Sequence, residues 1–312
     1  MNCKNTIIRL FAHLFLLNLW CKLFLANKMK KILHTKIYIW SAQLVLVAMV
    51  LATTSCNSKT KKAKDYLNIA EKAYQEDNFE RAKSNIDSIK LVYPKAFKEI
   101  NQGFDLMQEV RRAENKRNIV FIDSMMEAGY SKLKELQVAF DFVRDKNYQE
   151  FGNYIPKLTP LSKTLEHNTL RSGVSEKGIL FLESVLSGSN LHHNKIKVSI
   201  PDGSYAESLT VTADGLNYKF TTIQKTYEIV RFFGNDENGV AKFIYTFQDR
   251  PITLSYIGKR ASNKALSNNE KKAISKSFEL SKTLYEIEDL KYEKGKTEAL
   301  LRYLEKRKAE NN

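Results

Sequence analysis

Hydrophobic residues recur every three or four positions over two long parts of the chain, a period that predicts amphipathic α-helices. The first part is residues 65–150, in which Pro94 divides a helical hairpin from a longer helix. The second part is residues 266–312, where Ser267 and Glu270 form a capping box at the helix start. Two long amphipathic helices on either side of one insert pair most simply as an antiparallel coiled coil. We therefore predict two helical arms that form a stalk.

The helix after Pro94 has a continuous apolar stripe that predicts a length of about 50 residues. The stripe includes Phe140 and Val143 near its end. Gly129 is the expected position of a bend or break, because glycine is a poor residue for a helix interior.

Between the arms, residues 151–262 combine alternating apolar and polar positions with turn residues, which predicts antiparallel strands. Nine of the twelve glycines and four of the five prolines lie between positions 152 and 258. The predicted strands are residues 170–174, 179–186, 195–200, 205–211, 218–222, 227–233, 240–247 and 252–257. This number suits a small sandwich of immunoglobulin-like size. The predicted fold class is α+β, with helical arms flanking an inserted antiparallel β-sandwich-like module.

The hairpin ahead of the long helix has apolar and small residues at characteristic positions: Tyr66, Ile69, Ala70, Ala82, Ile86, Ile89 and Pro94. This spacing resembles one tetratricopeptide repeat, with Asp77 and Asn78 at the turn. A single repeat cannot bury its own apolar face. The resemblance therefore implies a hairpin that packs on the helix after it.

A basic and apolar leader, residues 1–55, precedes these elements. Lysines at positions 30, 31 and 36 come before an apolar run, residues 37–52, and small residues then lead to Cys56. This is the layout of a cleavable secretory segment. The run Thr53-Thr54-Ser55-Cys56 resembles the lipobox of bacterial lipoprotein signal peptides, although Thr53 stands where such signals usually carry Leu, Val or Ile. The resemblance implies that Cys56 is acylated and begins the mature chain.

The leader leaves two alternatives open. An uncleaved signal anchor is one, and a hairpin of two apolar segments is the other, since residues 6–25 are also largely apolar. The simplest interpretation is that translation starts at Met29. A lysine-rich tether, residues 56–64, is then expected to link the lipid to the first helix.

Removal of the leader changes the charge of the chain. It carries seven basic residues and no acidic one, so the net charge falls from +15 to +8. A charge of this size suits anionic head groups or glycans, and an exported protein rarely meets nucleic acid, which we do not expect as a partner. Cys3 and Cys21 leave with the leader, so a disulfide and a cysteine-based zinc site are excluded from the mature chain.

The mature sequence carries no recognisable catalytic motif, metal-ligand spacing or nucleophile elbow. His192 and His193 are predicted to be a loop pair without a ligand role, and His167 stands alone. The polar run 234–239 could supply oxygen ligands to calcium, but it lacks the spacing of a calcium loop and is read as a turn. We predict no enzyme activity, no cofactor and no metal.

Aromatic residues are frequent in the β module, and most of them are expected in its core. A ligand or partner surface for a glycan or a peptide is the alternative, since aromatic rings stack on sugars and anchor interfaces. Its candidate residues are Tyr205, Tyr218, Tyr227, Tyr245 and Tyr256.

The leading prediction is an outer-membrane lipoprotein on the periplasmic face that acts as a non-catalytic scaffold. Asn57 after Cys56 is not the aspartate of inner-membrane retention signals. The basic run Ser58-Lys59-Thr60-Lys61-Lys62 lacks the acidic residues seen in some surface-exported lipoproteins, which favours the periplasmic face. Two alternatives remain: a lipoprotein that binds a glycan or peptide through its β module, and an adaptor subunit of an envelope transport or secretion assembly. The membrane, through the lipid on Cys56, and an envelope protein or glycan are the expected partners.

Overall fold

The computed structural model describes residues 61–161, 167–188, 190–212, 217–222 and 225–311. Cys56 and the predicted leader lie outside these residues. The described helices are residues 61–75 (α1), Phe79–Val92 (α2), Phe97–Gln137 (α3), Val240–Thr246 (α4) and Asn268–Asn311 (α5). The described strands are Phe140–Val143 (β1), Asn153–Pro156 (β2), Thr169–Ser175 (β3), Leu180–Ser187 (β4), Lys195–Ser199 (β5), Tyr205–Glu207 (β6), Tyr218–Thr221 (β7), Thr226–Phe233 (β8), Thr253–Ile257 (β9) and Ala261–Ala265 (β10). The chain divides within α3 into two compact units, one ending at Arg111 and the other beginning at Arg112.

The first unit contains a helical hairpin and the start of α3. Asp77 occupies the turn with a positive φ of 55°, and the Asn78 side chain caps α2 by accepting a hydrogen bond from the Arg81 N–H at 3.1 Å. A Cβ added at Gly103 would lie 3.3 Å from Ile86 Cγ2, so α3 packs closely on α2. The hairpin therefore buries its apolar face against the next helix.

The predicted tether is shorter than expected. Residues 61–64 already belong to α1, and Ala63 is fully buried in a cluster with Leu67, Ile89 and Ala96. The lysines in this stretch point away from that cluster and are exposed. The last part of the predicted tether is thus the described start of an amphipathic helix.

The second unit contains the predicted antiparallel sheets. Six strands pair in the order β1-β2-β3-β4-β8-β7, and four pair in the order β10-β9-β5-β6. Every pairing is antiparallel. The strands extend from Phe140 to Ala265, beyond the predicted limits of residues 151–262 at both ends.

One hydrophobic cluster joins the two sheets and two helices. The six-stranded sheet contributes Leu182 and Phe232, the four-stranded sheet contributes Ile196 and Leu254, and α4 contributes Ile244, all nearly or fully buried. Ile274 of α5 enters the same cluster. Burial of this many apolar side chains in one cluster is the main force that holds the unit together.

The long helix ends earlier than predicted. α3 stops at Gln137, and Phe140 and Val143 lie in β1, where they pair with Pro156 and Asn153 of β2. The apolar stripe did not indicate the strand, because Phe140 and Val143 are three residues apart, a spacing that also fits one face of a helix.

Gly129 does not interrupt α3. The helix is continuous over 41 residues, and a Cβ at Gly129 would lie 3.0 Å from Ile287 Cγ1. Close approach of α5 explains the glycine.

Residues 240–247 were predicted as a strand and form α4 instead. Val240, Ala241 and Ile244 are its buried face, which follows helical spacing. The ring centroids of Phe243 and Phe247 lie 4.7 Å apart, one helical turn from each other. The strand prediction rested on the aromatic residues at every second position, 243, 245 and 247. The packing instead follows the smaller apolar residues Val240, Ala241 and Ile244, which are buried at helical spacing.

α5 begins with the predicted capping box. Glu270 Oε2 accepts hydrogen bonds from the Ser267 N–H and hydroxyl, both at 2.7 Å, and the Glu270 N–H donates to Ser267 Oγ at 3.3 Å. The helix runs for 44 residues, which confirms the long C-terminal helix. Among the described residues, no helix combines the length and apolar character needed to cross a membrane.

From Leu280 onward, α5 packs antiparallel against the part of α3 that begins at Arg112. Leu280 clusters with Leu136, Lys294 pairs with Asp123 at 2.7 Å, and the Leu304 carbonyl accepts a hydrogen bond from the Arg112 guanidinium at 3.4 Å. The two helices therefore run in opposite directions.

Candidate functional site

The five candidate tyrosines do not form one surface. Tyr205 is exposed on β6, with Lys197 Nζ 3.9 Å from its ring centroid. Tyr218 and Tyr227 lie on β7 and β8 of the other sheet. Tyr245 belongs to α4, and its ring centroid lies 5.1 Å from that of Phe278 on α5. The four-stranded and six-stranded sheets therefore carry different candidates.

The prediction that Tyr256 belongs to a ligand or partner surface is wrong. It is fully buried in the core on β9, and its ring meets that of His193 edge to face at 5.4 Å. Its hydroxyl has no hydrogen-bond partner among the described residues, and burial raises the pKa of the phenol. Alternation along β9 turns Leu254 and Tyr256 to the same inner face, so their shared pattern indicated core packing.

Tyr218 and Tyr227 are linked through Phe220 into a ladder of rings at the β7 edge. Ring centroids lie 6.1 Å apart for Tyr218 and Phe220, and 4.9 Å apart for Phe220 and Tyr227, with interplanar angles of 22° and 16°. Rings that stack on one another cover their own inner faces. This ladder therefore offers ring edges and outer faces to a ligand, rather than a flat platform for a sugar.

A polar network lies where β4, β8 and the β4–β5 connection meet. Ser184 Oγ is 2.7 Å from His193 Nε2, and His193 Nδ1 is 2.8 Å from Glu228 Oε2. The Glu228 carboxylate also accepts hydrogen bonds from the N–H groups of His192 at 2.8 Å and His193 at 3.0 Å. The network connects the loop to two neighbouring strands of the six-stranded sheet.

Burial and hydrogen bonding set the charge of the network. Burial lowers the pKa of His193 and outweighs the opposing attraction of Glu228. Burial also acts to raise the pKa of Glu228, but hydrogen bonds from the His193 ring and from the two backbone N–H groups leave that pKa below its usual value. Near neutral pH, the network therefore contains a neutral imidazole that donates from Nδ1 to a carboxylate and accepts the Ser184 hydroxyl proton at Nε2.

The sequence contains no recognisable motif that places a nucleophile beside a base. In the fold, however, Ser184, His193 and Glu228 have the connectivity of a catalytic triad. Ser184, however, is fully buried, and its hydroxyl also lies 3.3 Å from the Val230 carbonyl. A substrate carbonyl has no approach to this oxygen. The geometry suits a structural network that fixes the loop.

Next to the network, a groove of about 350 Å³ opens to solvent. Its lining includes His193, Asn194, Thr210, Thr212, Lys219 and Glu228. The Lys219 ammonium donates a hydrogen bond to Asn190 Oδ1 at 2.5 Å. Hydroxyls and an ammonium beside a buried carboxylate make this groove a polar candidate binding site.

The opposite face of the six-stranded sheet carries an arginine–glutamate–arginine cluster. Arg171 forms an ion pair with Glu183 Oε1, and the Arg231 guanidinium donates to Glu183 Oε2 at 2.7 and 2.9 Å. Arg171 also donates to the Leu161 carbonyl at 2.6 Å, and Arg231 lies 4.5 Å over the ring of Phe181. Three adjacent strands are thereby tied together across β3, β4 and β8.

The polar run proposed for calcium is a 3₁₀ turn, Gly234–Glu237, that leads into α4. Glu237 Oε2 accepts a hydrogen bond from the Ala241 N–H at 2.8 Å, and burial raises the pKa of this carboxyl. The side chain therefore caps a helix. In the described residues, no three His, Cys, Asp or Glu side chains are grouped closely enough to hold a metal ion.

Comparison of the chain with protein-family models, with curated proteins and with solved structures finds no match.

Proposed function

We propose that this chain is a lipid-anchored scaffold of the bacterial outer membrane, attached through an acylated Cys56 and facing the periplasm. In this proposal α3 and α5 form an antiparallel coiled coil that carries a sandwich-like β module. The protein performs no catalysis and needs no cofactor. The observation that carries the proposal is the heptad register between the two helices.

Inward positions of both helices are spaced alternately three and four residues apart. On α3 they are Arg112, Asn115, Ile119, Ile122, Met126, Gly129, Leu133 and Leu136, and on α5 they are Leu280, Thr283, Ile287, Leu290, Lys294, Thr297, Leu301 and Leu304; all are buried or half-buried. A seven-residue repeat of this kind is typical of coiled-coil packing.

The contacts between the helices agree with one register. Gly129 lies against Ile287, and the pairs at Leu136, Asp123 and Arg112 described above follow the same order. Extension of this register sets Met126 opposite Leu290. We therefore propose this register for the whole length that α3 and α5 share, on the support of several separate contacts.

The start of α5 joins this helical pair to the β module. Glu270 Oε1 accepts hydrogen bonds from the Leu170 N–H at 3.0 Å and the Thr169 hydroxyl at 2.9 Å. Further along the helix, Ser277 Oγ lies 2.8 Å from Ser172 Oγ, and the Ser281 hydroxyl donates to the Gly178 carbonyl at 2.6 Å. One continuous helix is thus fixed to the sheet at one end and to α3 at the other. Such an arrangement suits a part that holds a module at a set distance.

Crosslinking in intact cells, followed by mass spectrometry, tests the scaffold. We expect lysine crosslinks between α3 and α5, such as Lys116 to Lys306, and recurrent crosslinks from the β module to an envelope protein. Mixing isotopically labelled and unlabelled chains identifies links within one chain. Absence of links between α3 and α5 would contradict the coiled coil, and a stoichiometric pump or secretion partner would favour the adaptor role.

Ligand binding by the β module is the second candidate function, because the groove beside Lys219 presents polar groups to solvent. Arrays of glycans and peptides probed with the mature protein test this candidate. Lys219→Ala is expected to lower the binding signal, while Lys242→Ala on the exposed side of α4 leaves it unchanged. Equal signals from both variants would assign the binding to another surface.

A further inference from the structure

The connection between α2 and α3 exposes large apolar side chains. Leu91, Val92 and Phe97 are 79%, 57% and 71% exposed. They lie within seven residues of one another, on both sides of the tight turn at Pro94 and Lys95. We call residues 90–98 the apolar tip. Three neighbouring side chains of this size in water indicate a surface that meets something apolar.

The apolar tip is also basic. Lys90, Lys95 and Lys98 are exposed, and residues 90–98 contain no acidic side chain. Lysines beside exposed apolar residues are the combination with which peripheral proteins bind anionic bilayers, because the ammonium groups meet head groups while the apolar side chains enter the interface.

Tyrosines lie just behind the tip. The rings of Tyr66 and Tyr93 have centroids 6.0 Å apart, and both pack on the cluster of Ala63, Leu67, Ile89 and Ala96. Tyrosine is enriched at membrane interfaces because its ring is apolar and its hydroxyl is polar. The cluster also shows that the beginning of α1 and the apolar tip occupy the same end of the hairpin.

Under the proposed function, the lipid lies close to this end. Cys56 precedes residue 61 by five positions, and a fully extended chain of this length spans at most about 18 Å. An acylated Cys56 therefore keeps the apolar tip near the bilayer surface. The opposite end of the hairpin lies about 20 Å away, since α1 has 15 described residues that each rise 1.5 Å.

We propose that the apolar tip inserts into the interface of the same bilayer that holds the lipid, with its lysines on anionic head groups. Leu91, Val92 and Phe97 then enter the boundary between head groups and acyl chains. A lipid on a short tether leaves a protein free to tilt, whereas a second contact restricts its orientation. The proposal rests on the proposed function for the position of the lipid, but the tip is a separate contact.

The test uses the full gene expressed in its host, with Leu91→Cys carrying an environment-sensitive fluorophore. Gln75→Cys is the matched control, because Gln75 is exposed at the far end of α1 in the same unit. The labelled proteins are reconstituted in vesicles of phosphatidylethanolamine and phosphatidylglycerol that contain brominated lipid. We expect blue-shifted emission and several-fold stronger quenching at position 91 than at position 75.

Two results would overturn the proposal that the apolar tip inserts into the bilayer. One is equal quenching at positions 91 and 75. The other is a label at position 91 that is shielded from aqueous iodide without lipid quenching, which would mean that a protein or a second copy covers the tip. Lower quenching in vesicles without phosphatidylglycerol supports the role of the lysines.

Labelling of the parent chain separates this proposal from the proposed function. If Cys56 is acylated and the leader is removed, the parent chain takes up no label, because Cys3 and Cys21 are gone. If the parent chain does take up the fluorophore, a free cysteine is present and the proposed acylation of Cys56 with removal of the leader is overturned. Strong lipid quenching that is specific to position 91 supports the tip in either case.

Discussion

At the scale of single residues, buried charges determine which strands and loops can pair. Glu183 and Glu228 lie on adjacent strands but on opposite faces of the six-stranded sheet, and each has its own set of donors. A buried carboxylate is costly unless it is paired and hydrogen-bonded. The observed register satisfies the Glu183 carboxylate, because it places Arg171 and Arg231 directly opposite Glu183 on the two neighbouring strands.

Removal of the carboxylate charge from the arginine–glutamate–arginine cluster should strongly destabilise the fold. Glu183→Gln leaves the nearly buried Arg171 without its anionic partner, and we expect a loss of about 3–5 kcal/mol in the free energy of unfolding. Glu207→Gln breaks the partly exposed ion pair with Lys195 and should cost less than about 1 kcal/mol. Chemical denaturation of both variants measures the difference. Similar small losses would show that the cluster contributes little.

The Ser184, His193 and Glu228 network should make stability depend on pH. The pKa of His193 is lower in the folded chain than its usual 6.5, so the unfolded chain binds more protons once the pH falls below about 6.5, and the free energy of unfolding drops. Protonation of Glu228, whose pKa is also lowered from 4.5, adds a further loss below about pH 4.5.

His193→Gln is expected to flatten the first of these slopes and to cost about 1–3 kcal/mol at neutral pH, because Glu228 loses a donor. His192→Gln is the control, since the His192 backbone N–H still binds Glu228. Denaturant unfolding across the pH range measures both. An unchanged slope in His193→Gln would assign the pH dependence to other groups.

At the scale of elements, α5 holds the second unit together. Its first turns contact the sheet through Glu270, Ser277 and Ser281, and its later turns pack on α3. Two helical glycines in this region have opposite surroundings. Gly129 faces Ile287 at 3.0 Å, whereas Gly295 of α5 has open space around it.

The two glycines should respond in opposite directions to a larger side chain. Gly295→Ala should raise the free energy of unfolding by about 0.5–1 kcal/mol, because alanine favours the helix and meets no neighbour. Gly129→Leu should lower it by about 1–3 kcal/mol, because the side chain forces α3 and α5 apart. Thermal or urea unfolding measures both signs. Equal effects would mean that Gly129 is not in a helix contact.

Much of the element pattern is readable from the sequence, because it rests on local periodicity. The capping box at Ser267 and the C-terminal helix follow from spacing, and the strand predicted at 179–186 lies at Leu180–Ser187. The helix at 240–246 and the strand at 140–143 do not, since short apolar segments fit either period and tertiary packing selects between them.

The polar network could not be predicted as a site. Ser184 and His193 are nine residues apart, and Glu228 follows 35 residues later, so only strand pairing brings them together. One signal was present: Glu228 occupies the same face of β8 as Val230 and Phe232, and a carboxylate among core positions implies a buried partner.

At the scale of the whole chain, charge and anchoring belong together. The mature chain would keep a net charge of +8, and three of its lysines surround the apolar tip in the first unit. A basic surface near a lipid anchor favours an anionic bilayer. The polar groove and the aromatic ladder belong to the second unit.

The mass of the N-terminal peptide, measured on protein isolated from its native membrane, tests the central claim most directly. We expect a peptide that begins at Cys56 and carries a diacyl or triacyl modification. An unmodified peptide that begins before Cys56 would contradict it, because the protein would then be held by an uncleaved anchor and the charge and orientation inferred for the mature chain would no longer apply.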